Sequence, residues 1–185
     1  MKISLKVALL FLLAISFVQV LQGQDLWYSV DKSEYGFSVF FPQRATEAES
    51  KLDTEIGELQ QITYYLNREK GPVYFFQVNY IEYPDQTVHS DSTELLELFY
   101  EETLNAATEE MKGVLAYSSD VYQQGFQGKL YRIDYLNDQF TLKAKTFMVR
   151  NRYYSVQVIF KKGKEVRAVD RFLDSFRIIP VQETK

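Results

Sequence analysis

The sequence contains no cysteine and a single histidine, His89. The absence of cysteine excludes disulfide bonds, a cysteine nucleophile and the lipid-modified cysteine that anchors bacterial lipoproteins. Zinc sites built from several cysteine and histidine ligands are excluded for the same reason. A Ser-His-Asp triad would have to use His89, but its polar neighbours are adjacent in sequence, whereas triad members usually converge from separate segments. We therefore interpret His89 as a solvated loop residue.

Other chemical signatures are also missing. The chain has no Gly-x-Ser-x-Gly motif, no glycine-rich phosphate loop, no dinucleotide-binding fingerprint and no Asp-x-Asp-x-Asp-Gly calcium loop. Carboxylates are numerous, and two of them, Glu82 and Asp134, interrupt predicted strands. Arg132 alternates with Asp134 on one face of its strand, so a solvent-facing or salt-bridged position explains both residues without catalysis. We expect a non-enzymatic protein without cofactor or metal.

The amino terminus has the order of a secretory signal. Lys2 and Lys6 precede an apolar run at residues 7–18, and polar and small residues follow it. The run is shorter than the roughly 20 apolar residues that a membrane span needs. We predict a signal peptide at residues 1–23, cleaved after Gly23, and one domain at residues 24–185. The alternative is an uncleaved amino-terminal anchor. An exported bacterial protein, periplasmic or secreted, is expected, with membrane contact only through the signal peptide before cleavage.

Basic residues are too few for a nucleic-acid-binding protein. The formal net charge of the chain is −4, and removal of residues 1–23 would leave 19 basic and 25 acidic side chains. Binding to nucleic acid depends on lysine and arginine side chains that neutralise phosphates. The composition therefore argues against nucleic acid as a partner.

The pattern along the chain predicts strands, a helix, more strands and a second helix. Asp91 and Glu94 form a capping-box pattern at the start of a helix over residues 91–111, whose apolar side chains share one half of the helical wheel. Residues 165–176 form a second amphipathic helix. In the intervening segments, apolar and polar residues alternate or turn residues mark the ends, as is typical of strands. We predict an α+β fold in which a central antiparallel sheet is flanked by two main helices. The predicted strands are residues 37–41, 51–55, 58–66, 73–83, 114–122, 128–136, 140–150 and 153–160.

Three sequence blocks resemble the PsbP-like group of exported, mostly uncharacterised bacterial α+β domains. They are residues 35–42 (Tyr-Gly-Phe-Ser-Val-Phe-Phe-Pro), 78–84 and 171–177, and the similarity extends from Leu26 to Ile179. The resemblance implies a PsbP-like sandwich with an antiparallel sheet between helices. This fold hosts unrelated functions, so the resemblance implies no site residues.

Charge is divided unevenly between the two halves of the chain. Residues 24–112 carry 6 basic and 18 acidic side chains, whereas residues 113–185 carry 13 basic and 7 acidic ones. The two halves either interleave in one sheet and neutralise each other or form a bipolar surface that steers a partner. The second hypothesis predicts a partner surface near the last two hairpins, formed by Lys143, Lys145, Arg150, Arg152, Lys161, Lys162 and Lys164.

Aromatic residues are abundant on two adjacent predicted strands. They either pack in the core or line a cleft for a small apolar or carbohydrate ligand. The candidate cleft residues are Tyr64, Tyr74, Phe76 and Tyr80.

We conclude from the sequence that the protein is an exported, non-enzymatic binding or assembly module of the cell envelope, with a protein as its partner. The alternatives are a small-ligand carrier that uses the aromatic strands and a hydrolase with an unrecognised carboxylate site.

Overall fold

The computed structural model describes residues 26–164 and 167–181. The predicted signal peptide at residues 1–23 lies outside this range. Two helices are found in the described residues, α1 (Thr93–Glu110) and α2 (Arg167–Ser175). Neither is long and apolar enough to cross a lipid bilayer. The strands are β1 (Tyr28–Lys32), β2 (Phe37–Phe41), β3 (Thr46–Thr54), β4 (Gly57–Asn67), β5 (Val73–Glu82), β6 (Val114–Gln123), β7 (Phe126–Tyr135), β8 (Phe140–Val149), β9 (Arg152–Lys161) and β10 (Arg177–Ile178).

The strands form two antiparallel sheets. The larger sheet has seven strands in the order β3-β4-β5-β9-β8-β7-β6, and the smaller one has three in the order β1-β2-β10. Every adjacent pair is antiparallel. The prediction of an α+β fold with a central antiparallel sheet and flanking helices is therefore confirmed. Strands β1 and β10 were not predicted.

The large sheet is covered on both faces. On one face, Phe37 of β2, Phe172 of α2 and Phe176, which follows α2, pack with the inward side chains of β4, β5 and β9 in the largest apolar cluster. On the other face, helix α1 inserts Leu96, Tyr100 and Leu104 against β7, β8 and β9. The result is three layers, in which the large sheet lies between α1 and a layer made of the small sheet and α2.

Helix α1 begins differently from the predicted capping box. The residue at its N-cap is Ser92, and no side chain caps the helix there. Asp91 precedes the helix, and its backbone N–H donates to Nδ1 of His89 at 3.2 Å, so Asp91 belongs to the preceding turn. Helix α2 starts at Arg167 in the described chain, because residues 165 and 166 of its predicted first turn lie outside the described residues.

The acidic and basic halves of the chain occupy different halves of the large sheet. Strands β3, β4 and β5 come from the acidic half, β6 to β9 come from the basic half, and the two sets meet only where β5 pairs with β9. The halves therefore do not interleave strand by strand. The acidic helix α1 instead lies over the strands of the basic half.

Candidate functional site

The seven basic residues of the predicted partner surface do not form one patch. Lys143 and Lys145 point towards helix α2, where their Nζ atoms lie 2.9 Å from Oδ1 of Asp170 and 2.5 Å from Oδ1 of Asp174. These two lysines are thus engaged in attaching α2 to β8. Exchanging them for glutamate would disturb the fold as well as any partner surface.

The other five basic residues lie at opposite ends of β9. Arg150 and Arg152 are at its start, and the remaining three are at its end. Because a strand rises about 3.3 Å per residue, the two groups are roughly 30 Å apart. At the far end, Lys162 binds the carboxylates of Asp134 and Asp138. The three residues at that end are Lys161, Lys162 and Lys164.

The four predicted cleft aromatics are not brought together on an open surface. Tyr64, Phe76 and Tyr80 are 3%, 0% and 5% exposed and belong to the core beneath β2 and α2. Tyr74 is half-buried at the end of the sheet, where the centroid of its ring lies 5.4 Å from that of Phe140. Core packing accounts for the first three, and a cleft lined by all four does not exist.

The opposite face of the same strands carries a different, partly exposed set of side chains. Successive residues of a strand point to opposite faces, so Tyr65 and Phe75 lie on this face, with ring centroids 6.2 Å apart. Beside them, Oδ1 of Asn79 accepts hydrogen bonds from Gln77 at 2.7 Å and from Thr63 at 2.8 Å. Helix α1 packs its buried residues elsewhere on this face. We call these five residues the amide face.

The turn between β8 and β9 borders a partly enclosed cleft. It has a volume of about 210 Å³ and separates this turn from the chain after α2. Its lining combines apolar side chains with two arginines. We call it the arginine cleft. It is lined by Gln124, Phe126, Val149, Arg150, Arg152, Tyr154 and residues 178–181.

The arginine cleft has a rigid turn at its rim. The N–H of Arg150 donates to Oγ of Ser90 at 3.0 Å, and the N–H of Ser90 donates to the carbonyl of Arg150 at 2.8 Å. The side chain of Asn151 donates to the carbonyl of Tyr83 at 2.7 Å and to the carboxylate of Asp85 at 2.9 Å. The loop between β5 and α1 thus holds the backbone of Arg150 and the side chain of Asn151, so little backbone entropy remains to be lost when a ligand binds there.

Arg150 adopts an unfavourable backbone conformation. Its φ angle is +56°, in the left-handed region that glycine and asparagine occupy at much lower cost. Strained residues of this kind persist where the surrounding structure holds them and cluster at functional sites. The hydrogen bonds with Ser90 supply that support.

Arg152 is oriented by an acidic neighbour on β5. Its Nε lies 3.4 Å from Oε1 of Glu82, and the other oxygen of that carboxylate accepts a hydrogen bond from the hydroxyl of Tyr80 at 2.8 Å. Burial raises the pKa of Tyr80, and the hydrogen bond to Glu82 raises it further, so the phenol remains a donor at neutral pH. Glu82 therefore has a positioning role beside the cleft.

The second wall of the cleft is the chain that follows α2. The side chain of Gln124 donates to the carbonyl of Ile178 at 2.9 Å, and the N–H of Ile179 donates to the carbonyl of Gly36 at 2.8 Å. Gly36 has a φ of +78°, and a Cβ there would lie 2.8 Å from Cγ2 of Val181. A glycine is thus needed for the wall to approach this closely. The sequence offered little sign of this wall, because β10 has only two residues.

The residues considered for catalysis have structural partners. Burial raises the pKa of Asp134, but hydrogen bonds from Arg132, Lys162 and Thr141 outweigh that effect and bring it to about 2. Of the two arrangements expected for Arg132 and Asp134, solvent-facing or salt-bridged, the structure has the salt bridge, with Nε of Arg132 2.9 Å from Oδ1 of Asp134. His89 is in the loop before α1, as predicted, with Nδ1 3.6 Å from the carboxylate of Asp91. Within the described residues, no group of three or more His, Cys, Asp and Glu side chains is arranged to hold a metal ion.

The layered architecture is the PsbP-like fold. The chain is similar to the solution structure of cyanobacterial PsbP (CyanoP) from Synechocystis sp. PCC 6803, with a TM-score of 0.56 and 12% sequence identity. The match covers 85% of this chain and 95% of that one. No family model and no curated protein matches the sequence. The resemblance seen in the three sequence blocks is confirmed at the level of the fold, and at this identity the likeness shows the fold alone.

Proposed function

We propose that this protein is an exported, non-enzymatic binding module of the bacterial cell envelope, and that the arginine cleft holds an acidic segment of its protein partner. The observation that carries the proposal is Arg150, a residue with a strained backbone that lines a cleft together with Arg152 and apolar side chains. Guanidinium groups bind carboxylates by two parallel hydrogen bonds. The apolar lining residues Phe126 and Val149 suit an aliphatic or aromatic side chain next to that carboxylate.

The size of the cleft favours part of a protein chain over a complete small molecule. Pockets that enclose drug-sized ligands usually have volumes of about 300 to 1,000 Å³. The arginine cleft, at about 210 Å³, has room for one or two side chains of a longer segment. An anchor of this kind typically contributes to a wider protein interface.

The test compares variants that lose one positive charge at different places. Asparagine tolerates the left-handed conformation, so Arg150→Asn removes the guanidinium and leaves the turn intact. Lys161→Asn removes a charge at the other end of the same strand and is the matched control. The probe is an eight-residue peptide of alternating leucine and glutamate, with a leucine–glutamine peptide as its neutral counterpart.

We expect the acidic peptide to bind the wild type and the Lys161→Asn variant equally. It should bind Arg150→Asn and Arg152→Gln about tenfold more weakly, because each of these variants loses one good ion pair. Quantitative crosslinking in the native envelope should then identify a partner whose recovery falls with the same two variants. Equal binding to all variants, or equal binding of the neutral peptide, would contradict the proposal.

A second candidate function is carbohydrate binding at the amide face. Here Tyr65 and Phe75 provide aromatic surface, and Thr63, Gln77 and Asn79 provide uncharged hydrogen-bonding groups. Sugars combine apolar C–H faces with hydroxyl groups, and such a mixture matches that chemistry. Tetrasaccharides of glucose and of N-acetylglucosamine are suitable probes. A rise in melting temperature that Phe75→Ala abolishes would support this function, and no rise with either sugar would exclude both as ligands.

A further inference from the structure

The two edge strands of the large sheet are protected very differently. Strands β3 and β6 each have one neighbour in the sheet, so one side of each strand carries backbone N–H and C=O groups without a strand partner. Such an edge can pair with a strand of another chain. Natural proteins usually block it with charged side chains, proline, a strong twist or a covering segment.

The edge at β3 is blocked by charge. Glu47, Glu49, Lys51 and Asp53 alternate along it on one face, and all four are exposed. An added strand would place its side chains next to this row of charges, which costs desolvation and repels acidic segments. Strand β3 therefore has the features of a protected edge.

The edge at β6 lacks this protection. The strand has no proline, lysine or arginine, and its one charged residue is Asp120, which is bound by Lys129 at 2.6 Å. Tyr117 and Tyr122 are 40% and 68% exposed. The pairing of β6 with β7 shifts register between Leu115 and Tyr117 and is regular from Tyr117 onwards. A regular stretch in which Asp120 is the one charged residue thus remains at the edge.

An acidic and apolar flank lies above this stretch. Helix α1 contains six glutamates and no lysine or arginine. Glu97, Leu98 and Glu101 on its side line a groove of about 270 Å³ with Ser118 of β6 and with Lys129. Lys129 pairs with Glu97 at 2.9 Å, whereas the described residues contain no cation bound to Glu101. A strand added to β6 would place alternate side chains close to Leu98 and Glu101.

We propose that the outer edge of β6, from Tyr117 to Tyr122, is a docking site for an extended partner segment that alternates apolar residues with lysine or arginine. The segment adds an eighth strand to the sheet through backbone hydrogen bonds. Its cationic side chains lie on the helix face of the sheet, where they meet Glu101 beside Ser118. Its apolar side chains lie on the opposite face, where they pack against Tyr117. Charge complementarity selects this occupant over a second copy of the chain, because β6 itself has no basic residue and would bring a second Asp120 and a second acidic helix to the interface.

The proposal is independent of the arginine cleft, which accepts the opposite charge. The probe is a ten-residue peptide of alternating lysine and valine, and its control is the same peptide methylated on alternate backbone nitrogens. Methylation removes the amide donors of one edge but retains the charge and the side chains. The full chain is used, with Glu101→Lys as the test variant. Glu55→Lys, an equal change of charge in the turn between β3 and β4, is the matched control.

We expect the lysine–valine peptide to bind the wild type and Glu55→Lys equally, and Glu101→Lys at least about tenfold more weakly, because like charges then oppose each other. The N-methylated peptide should bind the wild type more weakly than the unmethylated peptide by a similar factor. Hydrogen exchange should slow at backbone amides between Tyr117 and Tyr122 when the unmethylated peptide is bound.

Three outcomes would overturn the proposal. The first is equal binding of the two peptides, since attraction to the acidic helix alone would then explain the affinity. The second is equal weakening by Glu101→Lys and Glu55→Lys. The third is dimerisation of the free chain that the substitution Ser119→Lys prevents, because the edge would then be used by a second copy. Circular dichroism of each variant establishes that the fold is retained.

Discussion

The hydroxyl of Tyr100 accepts a hydrogen bond from the buried backbone N–H of Met148 at 2.8 Å. The same hydroxyl donates to the carbonyl of Gln127 at 2.8 Å. One side chain of α1 therefore satisfies backbone groups of β8 and of β7. Because Tyr100 has no exposed surface, water cannot take over the two hydrogen bonds of its hydroxyl.

Replacing Tyr100 by phenylalanine should destabilise the protein by about 1–3 kcal/mol, because a buried N–H is left without an acceptor while the packing is retained. Urea denaturation measures the change in the free energy of unfolding. Thr103→Val is the control, since its hydroxyl bonds only to the carbonyl of Phe99 within the helix. An equal effect of the two substitutions would show that the contact with Met148 has no special weight.

Arg150→Asn should raise stability while it weakens binding at the arginine cleft. Asparagine relieves the cost of the left-handed conformation, by up to about 1 kcal/mol, and preserves the hydrogen bonds of the backbone with Ser90. Thermal unfolding and the peptide titration described above provide the two measurements. A variant that loses stability and binding together would indicate that Arg150 is structural.

Stability should fall at acidic pH through Asp134. Its pKa in the folded protein is about 2, below its ordinary value of 3.8. The ionised carboxylate therefore contributes its full stabilisation above about pH 4, and this contribution, about 2 kcal/mol, disappears as the pH falls towards 2. Urea denaturation of the wild type and of Asp134→Asn between pH 2 and 7 gives the free energy of unfolding of each. The difference between the two should narrow as the pH falls from about 4 towards 2. A difference that is constant with pH would contradict the assignment.

Gly128→Ala should be strongly destabilising although the position is an ordinary strand residue. A Cβ at Gly128 would lie 2.1 Å from the carbonyl oxygen of Thr146 and 2.6 Å from Cδ1 of Phe147. The backbone of β8 would have to move, at a cost of about 1–3 kcal/mol. Gly125→Ala is a useful comparison, since its Cβ would meet nothing and its cost comes from backbone conformation alone. Calorimetric melting of both variants tests the difference.

The sequence predicted the fold well where local patterns determine it. The alternation of Leu142, Ala144 and Met148 with Lys143 and Lys145 in β8 is found as expected. The face with the lysines is covered by α2, however, and the lysines reach its acidic side chains. Alternation distinguishes the two faces of a strand, but it does not show what covers them.

The candidate site could not be assembled from sequence, for three physical reasons. Tyr64 and Tyr65 point to opposite faces, and which of the two enters the core depends on tertiary register. Arg150 was identified as basic, but its left-handed conformation follows from contacts with Ser90, which is distant in sequence. The wall at residues 178–181 is held by side chains such as Gln124, which carry no pattern.

The junction of β5 and β9 has a consequence for folding. On either side of it, the large sheet consists of hairpins between consecutive strands, whose loop closure costs little. The ladder from Val73 to Glu82 against Arg152 to Phe160 instead closes a loop that includes α1 and three further strands. We expect each meander to form early and the junction to be the slow step, so that substitutions in the junction lower the rate of folding more than equally destabilising ones near the β3–β4 turn.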